Sequence, residues 1–309
     1  MHLQRKKYNL VEMITQEPPK PEYIIHGFER GTVGIIAGAG GVGKSMYAIQ
    51  LAFAVASGGK YNLLDFKVPK QRKVVYVSAE DTLSMIHERV HVIAEKMEIA
   101  EDDAQKLSEN LIIIDPFEGE ESLTLEAFLE TTKNEFKDID LVIIDTFSHF
   151  LNGQDENSNS DMKVVMTSLQ RVAKRTDTAI LLLHHASKAS VKDINGFGQQ
   201  AVRGASAIVD HARYVVAMRR MTYEEGLLYY DPDISSQKPI SYLMPPQRYK
   251  NYVYAEVTKQ NRGNIEPGKW YVFKKGGVLI PASIKGTASL QQKFQQEQEE
   301  KQGVKRCEV

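Results

Sequence analysis

A glycine-rich segment at residues 38–45 places the strongest limit on the fold of this 309-residue chain. It reads GAGGVGKS and fits the pattern G-x-x-x-x-G-K-[ST] of a phosphate-binding loop. The run Val33–Ala37 before it predicts a strand, and the residues from about Lys44 onward predict a helix. In that context successive backbone N–H groups turn toward phosphate oxygens at a helix N-terminus. The segment therefore predicts a nucleotide site; the alternative is a glycine-rich turn that binds no ligand.

The loop gives two side chains an expected task. The Lys44 ammonium would reach the β- and γ-phosphates of ATP, and the Ser45 hydroxyl would bind Mg²⁺. The expected cofactors are therefore ATP and Mg²⁺. The candidate ATP-binding residues are Gly38, Ala39, Gly40, Gly41, Val42, Gly43, Lys44 and Ser45.

Two acidic positions follow other predicted strands. Asp145 ends an apolar run, where a phosphate-loop fold places the carboxylate that orients water on Mg²⁺; the alternative is a strand-end aspartate that caps a turn. Thr146 follows it in place of a second acid, so the base that activates the attacking water must lie elsewhere. Glu80, just after the predicted strand Lys73–Ser78, is the expected base. If Glu80 is only an acid at a helix N-terminus, Asp81 is the fallback.

Apolar, β-branched runs alternate with helical patterns over the first 210 residues. The predicted strands are Val33–Ala37, Lys73–Ser78, Leu111–Asp115, Asp140–Asp145 and Thr178–His184, and the predicted helices are Met46–Ala56, Leu83–Glu95, Leu123–Phe136 and Met162–Lys174. This alternation is typical of an α/β fold with a mostly parallel sheet flanked by helices. Later strand patterns, separated by turn-rich segments, predict antiparallel strands that extend the same sheet. They are Arg213–Met218, Tyr252–Val257, Trp270–Phe273 and Val278–Ile280.

Composition sets the expected compartment and partners. Lys plus Arg number 39 and Asp plus Glu number 40, so no chain-wide positive field holds nucleic acid and any such site must be local. The single cysteine, Cys307, cannot form an internal disulfide or a cysteine metal cluster, which favours a reducing compartment. No apolar stretch is long enough for a signal peptide or a membrane span. We expect a cytoplasmic protein without membrane contact.

Three regions are expected along the chain. Residues 1–30 carry three prolines and predict an N-terminal arm that leads into the core or docks on a neighbour. Residues 31–285 predict a single ATPase domain. Residues 286–309 form a charged, glutamine-rich tail that we expect to be disordered, with a frayed helix over Gln291–Gln302 as the alternative.

Taken together, these motifs resemble the RepA-type hexameric replicative DNA helicases of small broad-host-range mobilisable plasmids, which are RecA-like P-loop ATPases. The resemblance runs from about Tyr8 to Ala282. It implies a RecA-like core, a six-membered ring with ATP between subunits, and single-stranded DNA in the central channel, with plasmid initiator and primase proteins as possible partners. It rests on Gly31–Gly34, Val75–Asp81, Ile86–Arg89, Leu183–Lys188, Arg203–Ser206 and Gly276–Ala282.

The resemblance also implies roles for single residues. It makes Glu80 the general base, Asp145 the metal-side carboxylate and His185 a γ-phosphate sensor. Arg213 becomes an arginine finger that reaches the ATP of the neighbouring subunit. Taken alone, His185 would be a core histidine and Arg213 a surface charge. The rival contacts across the subunit interface are Lys259, Arg262 and Arg89.

Two segments are expected to line the DNA channel, Ser148–Asp161 and Ala186–Ala205. The second holds the DNA-binding candidates Lys188, Lys192 and Arg203. The first departs from the family, because it carries Asp155, Glu156 and Asp161 and has Ser148 and His149 where the family has arginines.

The sequence therefore predicts an ATP-dependent hexameric DNA helicase that translocates on single-stranded DNA in plasmid replication. The alternative is a non-unwinding RecA- or KaiC-like ATPase that acts as a DNA clamp, a filament or a regulatory switch.

Overall fold

The computed structural model describes residues 9–116, 125–135, 138–151, 153–156, 158–185, 206–235, 238–262 and 267–286. The strands are β1 (Tyr23–Ile25), β2 (Phe28–Glu29), β3 (Val33–Gly38), β4 (Val74–Ser78), β5 (Leu111–Ile114), β6 (Leu141–Asp145), β7 (Ala179–His185), β8 (Tyr214–Arg220), β9 (Tyr229–Tyr230), β10 (Tyr252–Gln260), β11 (Lys269–Phe273), β12 (Leu279–Pro281) and β13 (Lys285–Gly286). The helices are α1 (Leu10–Thr15), α2 (Lys44–Ala56), α3 (Leu83–Lys96), α4 (Glu101–Ser108), α5 (Leu125–Glu135), α6 (Asn159–Thr176), α7 (Ser206–His211) and α8 (Tyr223–Leu228).

A central sheet organises the molecule. Its strand order over the described residues is β12-β11-β10-β8-β3-β7-β6-β4-β5. The six strands from β8 to β5 are parallel, and β10, β11 and β12 join antiparallel at one edge. The predicted α/β class is confirmed, with the predicted antiparallel strands extending the same sheet.

Helices cover both faces of the sheet. On one face α2 is buried along nearly its whole length, together with the inner residues of α3. On the other face the apolar sides of α5, α6 and α7 pack against the alternate residues of the same strands. Because both faces are covered, β4 and β6 are buried at every position, which explains why they are continuous apolar runs in the sequence. No helix of the described residues is long and apolar enough to cross a membrane.

The expected N-terminal arm contains two structured parts. Helix α1 buries none of its residues. The hairpin of β1 and β2, in contrast, places Ile24 and Phe28 in the core, where both are fully buried. The tail from residue 287 onward lies outside the described residues.

An ion-pair network joins this arm to the sheet. Glu22 contacts Arg30 at 3.1 Å, Lys70 at 3.3 Å and Arg72 at 3.2 Å, and Arg72 also contacts Asp140 at 2.8 Å. Hydrogen bonds from Arg30, and then from Lys70 and Arg72, lower the pKa of Glu22 to about 2. The network therefore favours the charged form of Glu22.

The segment between β8 and β10 builds a small satellite core around Met221, Ile240 and Tyr252. A bidentate ion pair lies beside it, because Arg219 donates from both terminal nitrogens to the carboxylate of Glu225 at 2.6 Å each. Glu225 also closes a capping box at the start of α8. Both side chains are about 10% exposed. Arg219 and Glu225 therefore form a largely buried ion pair in which each charge has an opposite partner.

Candidate nucleotide-binding site

The glycine-rich loop joins β3 to α2 at the carboxyl end of the sheet. Gly41 has φ 69° and Gly43 has φ 105°, in the left-handed region that favours glycine. A Cβ atom on Gly43 would lie 2.4 Å from Cζ of Phe273. The positive φ of residue 43 and the lack of room for a Cβ atom beside Phe273 both favour glycine at this position.

Lys44 is the first residue of α2, and its side chain folds back over the loop. Its ammonium donates to the carbonyl oxygens of Gly38 at 3.0 Å and Ala39 at 3.2 Å, and lies 3.2 Å from Nδ1 of His185. Burial lowers the pKa of Lys44, while the charges of Asp145 and Glu80 act in the opposite direction. The Lys44 side-chain nitrogen thus lies at the centre of the site, beside the loop and His185.

Asp145 ends β6 beside the loop and is buried. Its carboxylate accepts hydrogen bonds from the hydroxyls of Tyr76 and Ser45. Burial raises the pKa of Asp145, and these two hydrogen bonds oppose that rise. Over the described residues no group of three or more His, Cys, Asp or Glu side chains could hold a metal ion. The oxygens of Ser45 and Asp145 nevertheless suit Mg²⁺, which commonly takes few protein ligands together with water and phosphate oxygens.

Glu80 and His185 face each other across the cleft. In the register, His185 pairs with Gly38 and Asp145 pairs with Ser78, so β3 ends together with β7 and β4 ends together with β6, all at the carboxyl end of the parallel strands. Nε2 of His185 is 3.4 Å from Oε2 of Glu80. The two side chains are 40% and 51% exposed, which leaves both accessible to a ligand.

These groups line a cleft of about 600 Å³. Met46, Phe273, Gly276 and Gly277 also line this cleft. That space is of the order expected for a small-molecule or cofactor site.

Two arginines lie in this cleft that the sequence does not assign to it. Arg89, a candidate for contact with a neighbouring subunit, forms a bidentate ion pair with Asp81 in the cleft of its own chain. Arg220, at the end of β8, donates to the carbonyl oxygens of Gly41 and Lys250. No motif marks Arg220, because it follows an ordinary buried strand and only the strand order brings it beside the loop.

The family model for the AAA domain matches residues 3–191, which is more than half of the chain. The chain belongs to the AAA domain family.

Two relatives of this AAA domain are DNA repair proteins by name. The DNA repair and recombination protein RadB of Methanobrevibacter smithii is 31% identical over 163 residues, which cover 50% of this chain and 60% of that protein. The DNA repair protein RadA of Brucella abortus is 28% identical over 168 residues, covering 52% of this chain and 30% of that protein. The matches therefore span less than two thirds of either relative.

Solved structures give the fold of this AAA domain. The ATPase domain of G40P has a TM-score of 0.54 at 15% identity, over 88% of this chain and 95% of that chain. A DnaB-like replicative helicase, described with its interactions with primase, has a TM-score of 0.56 at 15% identity, over 88% of this chain and 66% of that chain. These likenesses, with the family match, identify a RecA-like P-loop ATPase fold.

Other candidate residues of this AAA domain lie away from the cleft. Arg213 is exposed and directly precedes β8, at the end of the sheet opposite the loop. Lys259 lies near it and donates to the carbonyl oxygens of Val209 at 3.0 Å and Asp210 at 2.8 Å. Arg262 is exposed just beyond β10. These three candidates thus lie at the same end of the sheet, opposite the phosphate-binding loop.

The two expected DNA segments are described to different extents. Lys188, Lys192 and Arg203 lie outside the described residues. In the first segment, Oδ2 of Asp161 accepts from the N–H of Asp155 at 3.2 Å. Two of its acidic residues therefore contact each other within the segment.

Proposed function

We propose that this chain hydrolyses ATP and uses the energy to move along single-stranded DNA as a ring-shaped DNA helicase. The observation that carries the proposal is the meeting of Lys44, Asp145, Glu80 and His185 in one cleft beside a phosphate-binding loop. The resemblance to RepA-type plasmid helicases supports the finer assignment to plasmid replication, with initiator and primase proteins acting beside it.

Each group in the cleft has a task in hydrolysis. Lys44 binds the β- and γ-phosphates, and the loop N–H groups hold the phosphate oxygens. Ser45 and Asp145 would hold Mg²⁺, which supplies positive charge against the phosphate oxygens. Glu80 accepts the proton of the attacking water. His185 lies between Lys44 and Glu80, so its imidazole can respond to the γ-phosphate.

A further positive charge comes from another subunit. Arg213 lies at the opposite end of the sheet from the loop of its own chain, so it serves a neighbouring site in this proposal. A finger supplied in this way neutralises charge that develops on the transferred phosphoryl group and makes hydrolysis depend on assembly. The rival candidates are Lys259 and Arg262, which lie at the same end of the sheet as Arg213, and Arg89.

The names of RadB and RadA favour a second candidate function. In it, the chain binds DNA as a recombination-type filament or clamp and separates no strands. The same cleft would hydrolyse ATP in both cases, so the difference lies in what hydrolysis drives.

ATP-dependent strand displacement on a forked DNA duplex tests the proposal. The wild type and Glu95→Gln, a matched control at an exposed position of α3, are expected to displace the strand. Glu80→Gln is expected to bind ATP and displace nothing, because the base is lost. If the wild type hydrolyses ATP and binds single strands yet displaces nothing on forks with either tail polarity, the helicase proposal fails. Helical filaments on single strands in electron micrographs would then support the recombination-type function.

A further inference from the structure

Two consecutive histidines end β7 on opposite faces of the sheet, as residues of a strand alternate. His185 points into the nucleotide cleft, 3.2 Å from Nζ of Lys44 and 3.4 Å from Oε2 of Glu80. His184 is 3% exposed and lies against the ring of Phe147, with 5.8 Å between the ring centroids. The end of β7 therefore places one imidazole in the nucleotide cleft and the other on the opposite face of the sheet.

Glu156 contacts the second of these histidines. Its Oε1 is 2.6 Å from Nδ1 of His184, and its side chain is 29% exposed. The close contact with His184 lowers the pKa of Glu156, while burial acts in the opposite direction, so this residue is a carboxylate at neutral pH. Nδ1 of His184 is buried and makes no hydrogen bond of regular geometry with the described residues, so the ion-pair contact with Glu156 is what offsets the cost of burying it.

The segment that carries Glu156 is itself held in place. The N–H of Gln154 donates to the carbonyl of Leu151 at 2.8 Å, and the N–H of Ser158 donates to the carbonyl of Asp155 at 2.9 Å. Glu156 thus extends from a hydrogen-bonded turn between the 3₁₀ segment Phe147–Phe150 and α6.

We propose that Glu156 is a positioning residue for ATP hydrolysis. By holding His184 it fixes the end of β7, and through the next peptide bond it fixes His185 between Lys44 and Glu80. The inference rests on the proposed ATPase function of the cleft. It gives Glu156, one of three acidic residues in segment 148–161, a task inside the subunit. Because this segment is expected to line the DNA channel, Glu156 would also connect that channel to the site of hydrolysis.

Two variants of Glu156 distinguish a positioning role from an effect of its negative charge, because one changes the length of the side chain and the other changes its charge. Glu156→Asp keeps the charge and withdraws the carboxylate from His184, whereas Glu156→Gln removes the charge and keeps an oxygen within reach. We expect Glu156→Asp to lower kcat by about 10- to 100-fold, since a displacement of about 1 Å at a remote position can cost that much. KM for ATP is expected to stay within about twofold, as for a change felt only in the transition state. Glu156→Gln is expected to keep kcat within about threefold.

Matched controls make the same two changes elsewhere. Glu130→Asp and Glu130→Gln alter only an exposed ion pair with Arg175 and are expected to leave kcat unchanged. A wild-type kcat in Glu156→Asp, or a loss confined to Glu156→Gln, overturns the proposal.

A second readout does not depend on turnover. In the chain labelled with ¹⁵N-histidine, the ring signals of His184 and His185, assigned with His184→Asn and His185→Asn, are expected to shift in Glu156→Asp and not in Glu130→Asp. Unchanged His185 signals in a folded Glu156→Asp protein overturn the proposal even if the wild type hydrolyses ATP. A wild type that hydrolyses no ATP refutes the proposed function instead, and the ring signals still decide whether Glu156 places His185.

Discussion

Mixing two inactive variants tests whether Arg213 acts on the ATP of a neighbouring subunit. In the parallel register of β3 and β8, Gly38 pairs with Met218, and Arg213 lies five residues earlier. At roughly 3.3 Å per residue, Arg213 lies about 16 Å along the sheet from the start of the loop of its own chain. That separation exceeds the length of an arginine side chain, so a finger at this position can complete only another subunit's site.

The size of the expected effect follows from counting interfaces. Lys44→Ala subunits lack the phosphate-binding ammonium and keep Arg213, whereas Arg213→Ala subunits keep Lys44 and lack the finger. Each variant alone should hydrolyse ATP about 10³- to 10⁵-fold more slowly than the wild type. In an equal mixture with random assembly, half of the sites carry Lys44 and half of their neighbours carry Arg213. About one quarter of the interfaces are then complete, for any ring size, and should restore about one quarter of the wild-type rate.

The readout is the rate of phosphate release from ATP in the presence of single-stranded DNA. It is measured at several mixing ratios of the two variants, with the total protein concentration kept constant. The rate should follow a parabola with its maximum at equal amounts. Arg175→Ala, mixed in place of Arg213→Ala, should instead give a straight line, because it removes an exposed arginine that pairs with Glu130 and keeps both Lys44 and Arg213. If no ratio restores hydrolysis while differently tagged subunits of the two variants co-purify in one oligomer, Arg213 is not the finger. Mixtures with Lys259→Ala, Arg262→Ala and Arg89→Ala then test its rivals.

Three further changes test other parts of the structure. Glu225→Ala should lower the free energy of unfolding in urea by about 3–5 kcal/mol, because it leaves the charge of Arg219 buried without its partner. Adding Arg219→Met to the same chain should recover most of this loss. If the costs of the two substitutions simply add, this reasoning is contradicted. Gly43→Ala should weaken the binding of a fluorescent ATP analogue at least about tenfold, and Phe273→Leu should recover only the part due to contact with the ring; unchanged affinity in Gly43→Ala would refute the steric reasoning. The pKa of Glu22, lowered from 4.5 to about 2, means that its contribution to stability is complete above pH 4.5 and is lost as the pH falls toward 2. Glu22→Gln should therefore flatten the fall of Tm over that range, and parallel Tm curves for the two proteins would count against the network.

The sequence predicts the central sheet well because its strands are buried on both faces. Such strands appear as unbroken apolar runs, and the ends of β4 and β6 place Glu80 and Asp145 at the same edge of a parallel sheet. The alternation of strands and helices then determines the fold class.

Contacts that depend on strand order or on side-chain direction are beyond such reasoning. Arg89 is on a helix whose rotation about its axis decides whether it points to solvent, to a neighbour or to Asp81 in its own cleft. Arg220 reaches the loop only because β8 lies beside β3. A signal was available for α8, since Thr222 and Glu225 have the spacing of a capping box, although the surrounding residues are typical of turns.

The position of β3 in the sheet has a consequence for how the chain folds. Its two neighbours are β7 (Ala179–His185) and β8 (Tyr214–Arg220), both far along the chain. During synthesis, the strand that carries the phosphate-binding loop therefore waits for most of the domain before either of its edges is paired. A fragment cut at residue 191, where the family match ends, would leave the β8 side of β3 without hydrogen-bond partners. The smallest piece of this protein that can form its nucleotide site must therefore extend beyond residue 220.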